Sequence, residues 1–271
     1  MSKQTVLFRD LGKMDYQEAW DYQERLLQEN VNLKKIANIS EGYFPSTGTS
    51  GHDSKNDRLQ ENFHGPLLTE SDESVNSQLP TVNYLLFVEH PPVYTLGKSG
   101  KIEHVLINEE QRKLNGIGFF NTNRGGDITF HGPQQIVGYP ILDLEKFYTD
   151  IGRYLRELEE VIILTLDDYG ITGERSKGET GVWIDTGIKG RERKICAMGV
   201  RCSRWITMHG FAFNVNTDLS YFNHIIPCGI QGKQVTSLEN ELGYKLNFDE
   251  VKEEVKKNFE KVFEVTLSSE E

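Results

Sequence analysis

The sequence predicts a single α+β domain, a mixed β-sheet flanked by helices. Three observations predict it. Apolar runs of strand length recur through the chain, at residues 81–88, 136–142, 181–185, 193–202 and 205–216. Stretches with apolar residues at helical spacing stand near both ends and between those runs, at 15–31, 150–169 and from 247 onward. No segment repeats, and 271 residues are enough for one sizeable core.

Composition narrows the function. The apolar and charged fractions are those of an ordinary globular protein. A net charge of −11 argues against non-specific binding to nucleic acid or to an anionic membrane. A local basic patch is compatible with that total, and Arg124, Lys189, Arg191, Arg193, Lys194, Arg201 and Arg204 gather in the stretches that carry the chemistry. No stretch approaches the ~20 apolar residues of a membrane span, and the N-terminal sequence lacks the apolar core of a secretory leader. Three cysteines at irregular spacing, with no CxxC, indicate neither a disulfide framework nor a zinc ribbon. These features predict a protein of a reducing cytoplasm without a metal.

In chain order, residues 5–8 form a short apolar run, a first strand. Asp15 with Glu18 has the form of a capping box, and Tyr16, Ala19, Trp20, Gln23, Leu27 and Val31 then share one helical face that covers a sheet. From about residue 38 to 80, Gly, Ser, Asp, Asn and Pro dominate without any period, which reads as a flexible insertion, or in part as a lid. His52 and His64 within it show no ligand pattern. Residues 81–88 are a buried strand that ends at Glu89-His90-Pro91-Pro92, with His90 as punctuation, and 93–98 turn away from it.

Residues 124–135, Arg-Gly-Gly-Asp-Ile-Thr-Phe-His-Gly-Pro-Gln-Gln, read as a ligand loop. Paired glycines after an arginine let backbone N–H groups approach a ligand closely, and Thr129 and His131 share a strand face. The alternative is a hairpin that only turns the chain. It is neither a dinucleotide fingerprint nor a P-loop. Residues 150–169 form an amphipathic helix with Ile151, Tyr154, Leu155, Leu158, Val161, Ile162 and Leu166 inward and Gly170 past its end. Residues 181–185 and 193–202 are strands joined by a polar hairpin, 205–216 a further strand pair, and 247–250 cap a final helix with Val251, Val255, Phe259 and Val262 inward.

The chemistry concentrates in residues 194–230. Lys194 opens the stretch before small residues, and Cys228 closes it between Pro227, which fixes φ, and Gly229, which lets a substrate near the backbone. A thiolate is a strong nucleophile and a nearby cation favours it. Lys194 and Cys228 are therefore a candidate acyl-transfer pair if the strands fold back; otherwise they are a structural thiol and a surface lysine. Cys196 and Cys202, in a β run, read as packing thiols.

Five segments, RGGDITFHGPQQIVGYPILDL (124–144), GVWID (181–185), KICAMGVR (194–201), HGFAFNVNTDL (209–219) and IPCGI (226–230), resemble the octanoyltransferase family of lipoate biosynthesis, the LipB-type lipoyl(octanoyl) transferases. The resemblance covers nearly all of the chain outside the insertion. It implies the fold of the biotin/lipoyl protein ligase catalytic domain. It also implies transfer of an octanoyl group from octanoyl-acyl carrier protein to a lysine of lipoyl domains in 2-oxoacid dehydrogenases and the glycine cleavage H protein. By position, Cys228 matches the acyl-thioester nucleophile and Lys194 the residue that activates it. The substrate cradle maps onto Arg124, Gly125, Gly126, Asp127, Ile128, Thr129, Phe130 and His131, onto Ala197, Met198 and Gly199, and onto Gly210, Phe211 and Ala212. Asp127 stands where the family often carries Gln or another polar residue. A thioester donor is already activated, so neither ATP nor a metal nor any other cofactor is expected, and the protein is expected to act as a monomer. Three readings compete: an ATP-dependent lipoate- or biotin-protein ligase of the same fold, which needs no cysteine; a cysteine-dependent amidotransferase of the related octanoyl family, which would not place the thiol and the lysine in these two motifs; and a lipoyl-domain-binding module without chemistry.

Overall fold

In the computed structural model residues 3–40, 80–227 and 234–269 are described. Twelve strands and five α-helices follow in the order β1 (Gln4–Lys13), α1 (Tyr16–Ser40), β2 (Asn83–Glu89), β3 (Val93–Leu96), α2 (Glu109–Leu114), β4 (Gly118–Asn121), β5 (Ile128–His131), β6 (Gln135–Ile141), α3 (Ile151–Asp168), β7 (Glu174–Arg175), β8 (Val182–Ile184), β9 (Arg193–Ser203), β10 (Ile206–Asn214), β11 (Gln234–Val235), α4 (Leu238–Leu242), α5 (Phe248–Phe263) and β12 (Val265–Ser269) among those residues. The chain divides into two units, Met1–Val31 with Val82–Glu271, and Asn32–Thr81. The first holds both sheets and the site. Of the second, the described part is mainly the end of α1; the predicted insertion, apart from residues 38–40 and Pro80, lies outside the described residues.

The larger sheet runs β12-β1-β2-β6-β10-β9-β8-β7, with β11 added beside β9. Its pairings are mixed: β1 is parallel to both β2 and β12, and β2, β6, β10, β9 and β8 alternate antiparallel. β2, β6 and β10 lie side by side and every residue in them is buried. A strand covered on both faces must be apolar on both, which is why residues 81–88 and 136–142 read as nearly unbroken apolar runs. A second, three-stranded sheet has the order β4-β3-β5.

Helices cover the two faces of the large sheet. On one, Ala19, Leu26, Leu27 and Val31 of α1 pack on Leu86 and Val88 of β2, Tyr139 and Ile141 of β6, and Met208 of β10. On the other, Leu158, Ile162 and Leu166 of α3 and Val251, Val255 and Phe259 of α5 pack on Leu85, Phe87, Phe211 and Phe213. The predicted cap residues are used, with Asp15 bonding Gln17 rather than Glu18 of the expected box. Asp15 Oδ1 accepts from the Gln17 N–H, Asp150 from that of Arg153, and Asn247 from those of Asp249 and Glu250.

The structure differs from the sequence reading in several elements. Residues 93–98 do not turn away; Val93–Leu96 is a strand of the small sheet, reached through the two prolines. Residues 205–216 are not a strand pair but the one strand β10, between β9 and β6. α1 continues to Ser40, two residues into the predicted insertion. β12, after α5, escaped notice because its five residues mix apolar with Thr and Ser.

Candidate active site

A cavity of about 570 Å³ opens where the small sheet meets β6, β9 and β10. That is within the roughly 300–1,000 Å³ of small-molecule sites. Of the predicted residues, Arg124, Gly125, Gly126, Asp127, Ile128, Thr129 and His131 line it from the loop and β5, Lys194, Ala197, Met198 and Gly199 from β9, and Gly210, Phe211 and Ala212 from β10.

The Arg124–Gly126 loop is laid directly on the sheet. β8 pairs with β9 only as far as Cys196, so the next part of β9 has a free edge on that side. There the Gly125 N–H donates to Val200 O at 3.0 Å. The turn after β3 holds the loop from behind: Gly97, Lys98 and Ser99 N–H donate to the carbonyls of Asp127, Arg124 and Gly126 at 3.0–3.1 Å. The Arg124 fork is turned inward, with Nη1 donating to Gly125 O and Nη2 to Thr95 O and Oγ1 at 2.7–2.9 Å. Arg124 thus shapes the cradle as well as charging it. Gly199 makes the contact possible, because a Cβ there would meet Gly125 O at 2.6 Å. Gly199→Val is therefore expected to lift the loop and lower turnover on the order of 10²-fold, the scale of a 1 Å misplacement, while leaving the melting temperature within a few degrees; steady-state kinetics with thermal unfolding checks this.

Lys194 reaches the cavity because of a β-bulge. Val182 pairs with Cys196 and Trp183 with Lys194, so one step on β8 spans two on β9, and Ile195 is the extra residue. Ile195 and Cys196 both enter the core behind the sheet. Lys194 is consequently on the cavity side with Ala197, three residues on, which a regular strand would place on opposite faces. Its ammonium lies 4.5 Å from the centre of the Trp183 ring and donates to Thr180 O at 3.1 Å. That carbonyl is itself braced. Gly181, at φ +115°, donates to the buried carboxylate of Glu159 at 2.9 Å, and Arg156 and Arg175 hold Glu159 at 2.7 and 3.1 Å.

Beside the loop, the wall is made of aromatic and imidazole rings. Tyr16, the first residue of α1, stacks on His131 at 5.9 Å between ring centres. His90, behind them, bonds to Met14 O and to the Tyr139 hydroxyl, each at 2.8 Å. His209, held at φ +60°, bonds to Asn123 Oδ1 at 2.7 Å. Burial lowers the pKa of His90 to about 4, and burial with the nearby Arg124 and Arg201 lowers His209 to about 3. His131 is driven well down by burial, then by His90 and Arg124. Burial pushes the Tyr16 hydroxyl up to about 12. All four rings are neutral at pH 7, so Arg124 and Lys194 are the cations in the described wall.

Two predicted residues stand apart. Phe130 does not line the cavity; it is buried in the core beside the small sheet, where it stacks on Tyr221 at 4.6 Å and meets Phe222 edge-on. Cys228 lies outside the described residues, whereas Pro227, to which it is bonded, lines the cavity. The basic cluster is a correction: Arg193 is tied to Asp185 and Glu241 at 2.6 Å and Arg201 to Glu24 at 2.6 Å, so these charges are spent within the structure. His90 is more than punctuation, being part of the support beneath the wall. Asp127 pairs with His104 at 2.7 Å and bonds its neighbour's N–H, which gives the departure from the family pattern a local reason. Sequence reasoning missed Tyr16, Ile151, Leu155 and Thr180, none of which carries a motif signal, and Gln135, Tyr139 and Asn214, which stood inside quoted motifs.

Comparison with known proteins agrees with this geometry. The model of the lipoyl protein ligase A/B catalytic domain matches residues 67–260. The chain is 53% identical to the octanoyltransferase of Christiangramia forsetii over 97% of both chains, and 53% identical to that of Flavobacterium johnsoniae over 97% of this chain and 98% of that one. Among solved structures, lipoate-protein ligase A bound with ATP covers all of this chain, with 89% of its own matched, at a TM-score of 0.60 and 13% identity. The bipartite lipoate protein ligase from Thermoplasma acidophilum matches 70% of this chain and 74% of its own at a TM-score of 0.57 and 17% identity. These structures share the fold. With relatives so similar along nearly its whole length, the chain belongs to the octanoyltransferase family, acyltransferases of protein lipoylation built on the lipoyl protein ligase A/B catalytic domain.

Proposed function

We propose that the protein moves an octanoyl group from octanoyl-acyl carrier protein to the target lysine of lipoyl domains, in 2-oxoacid dehydrogenases and the glycine cleavage H protein, through a thioester on Cys228. The observation that carries this reading is that Lys194 and Pro227, the residue bonded to Cys228, line one cavity with the Arg124–Gly126 cradle and the apolar side chains of Val137, Met198 and Phe211.

The chemistry divides into two steps. The Cys228 thiolate attacks the donor's thioester carbonyl, the carbon–sulfur bond to the carrier breaks, and the carrier leaves as a thiol after taking a proton. One thioester replaces another, so this step is close to isoenergetic. The amine of the acceptor lysine then attacks the acyl-enzyme, an amide forms, and Cys228 leaves as thiolate. Lys194 serves both steps: as an ammonium it favours the thiolate, and as a free amine it takes the proton that the incoming lysine must lose. The neutral imidazoles leave Arg124 and Lys194 as the local positive charges, which suits the developing oxyanion and an acidic carrier.

Intact-mass measurement after mixing with octanoyl-acyl carrier protein tests the reading. One octanoyl adduct on Cys228, formed without ATP and discharged by a lipoyl domain, is the expected result. Formation only with octanoate and ATP would identify a ligase, and tight lipoyl-domain binding without an adduct would identify a binding module. A reducing cytoplasm, which keeps Cys228 a thiol, is the place of action that fits this chemistry; among the described residues no helix is long and apolar enough to cross a membrane.

A further inference from the structure

We infer that Asn214 is a positioning residue for Lys194, joined through a one-way chain of buried hydrogen bonds to Arg124 on the far side of the cavity. The inference rests on the catalytic role proposed for Lys194.

The direction of the chain follows from its fixed ends. Asn214 Nδ2 donates to Thr236 O at 3.0 Å, so its Oδ1 is the acceptor for Gln135 Nε2 at 2.8 Å. Gln135 Nε2 also donates to Phe130 O at 3.1 Å, which leaves Gln135 Oε1 to accept from His131 Nδ1 at 2.9 Å. His131 is neutral, so its proton is on Nδ1, and Nε2 accepts from the Thr95 hydroxyl at 3.3 Å. Thr95 Oγ1 in turn accepts from Arg124 Nη2 at 2.9 Å. Thus every donor points from the guanidinium toward Thr236, and such chains polarise one another in a dry interior. Thr95, His131, Gln135, Asn214 and Thr236 are all buried.

The far end is where the arrangement acts. Thr236 follows β11, a strand of two residues that pairs with β9 only at Arg193 and Lys194. The Thr236 N–H donates to Lys194 O at 2.9 Å. Two residues of pairing are a weak hold, and Asn214 adds a buried bond to the Thr236 carbonyl. The main chain at Lys194 is therefore clamped between Trp183 on β8 and the β11–Thr236 segment, with the bulge at Ile195 next to it. A shift of β11 would move the ammonium away from the Trp183 face and Thr180 O.

A double-mutant cycle on octanoyl transfer tests this. Asn214→Ala is expected to lower kcat on the order of 10²-fold with KM for the lipoyl domain little changed. Added to Lys194→Ala, it should cost about twofold at most, because the group it positions is already gone. Asn214→Asp supplies a pH signature that a packing role would not give. Its neutral acid can donate to Thr236 O and its carboxylate cannot, so its turnover relative to wild type should rise as pH is lowered, while the Asn214→Ala deficit stays flat. Additive losses in the cycle, or flat and equal deficits for both substitutions, would overturn the inference. Wild-type turnover of Lys194→Ala alone would overturn it too, and that single variant shows separately that the proposed role of Lys194 has failed. If Asn214→Ala does not fold, Asn214→Asp carries the test by its pH profile.

Discussion

Cys228→Ala is expected to lose octanoyl transfer entirely, while Cys196→Ala and Cys202→Ala retain most of it. The contrast rests on where the three thiols stand. Cys196 is completely buried, packed behind the sheet with Val182 and Phe213, and burial pushes its thiol far up, so it presents no thiolate at neutral pH. The bulge that turns Lys194 toward the cavity is what turns Cys196 away from it. Cys202 is half-buried near the end of β9, opposite Thr207, and is not part of the cavity wall. Cys228 alone follows a residue of that wall and stands between a proline and a glycine. Transfer assays and intact mass decide the matter: full activity in Cys228→Ala would remove the thioester mechanism, and loss of activity in Cys202→Ala would move the nucleophile to β9.

Lys194→Arg is expected to load octanoate onto Cys228 and then stall, so that the thioester accumulates when lipoyl domain is present. Arginine keeps the positive charge but does not deprotonate in a protein, and an incoming lysine is protonated at neutral pH. General-base assistance contributes ~10²–10⁴-fold, and a loss of that order is expected in the second step alone. Lys194→Ala should load far more slowly, leaving only a residual rate, because it removes the charge that favours the thiolate. The structure makes the arginine variant informative. The ammonium rests against the Trp183 face and Thr180 O, an environment that also accepts a guanidinium. Rapid-quench mass spectrometry separates loading from aminolysis, and wild-type turnover of Lys194→Arg would rule out the base role.

Residues 81–88 and 136–142 were readable as buried strands because strands covered on both faces are apolar on both. The helix at 150–169 was readable from its spacing and the glycine past its end, and the one after 247 from its spacing and its Asn cap. The Arg124–His131 and Lys194–Gly199 segments were readable as site material because their residue types fit close backbone approach and acyl chemistry. β3 was not readable, since four residues between two prolines and a glycine look like a turn until β4 and β5 pair with them. Tyr16 was read as one of a helix's inward residues, and nothing near it in sequence says that His131 stacks upon it.

The sequence by itself determined the fold class, the periodic elements and the candidate pair of Lys194 and Cys228, because hydrophobic period, turn chemistry and residue type are local properties. Tertiary structure decided which face Lys194 and the described residues of the site meet. Strand register put the extra residue at Ile195 and so turned Lys194 into the cavity. Burial, with the nearby positive charge of Arg124 added to it, fixed His131 and His209 as neutral. Packing also tied Arg193 and Arg201 to acidic partners distant in the chain, Glu241 and Glu24, leaving Arg124 and Lys194 as the cations of the described cavity wall. Each of these depends on pairs of residues many positions apart, and the energy of such pairs is set by distance and burial, which a period of 2 or 3.6 does not carry.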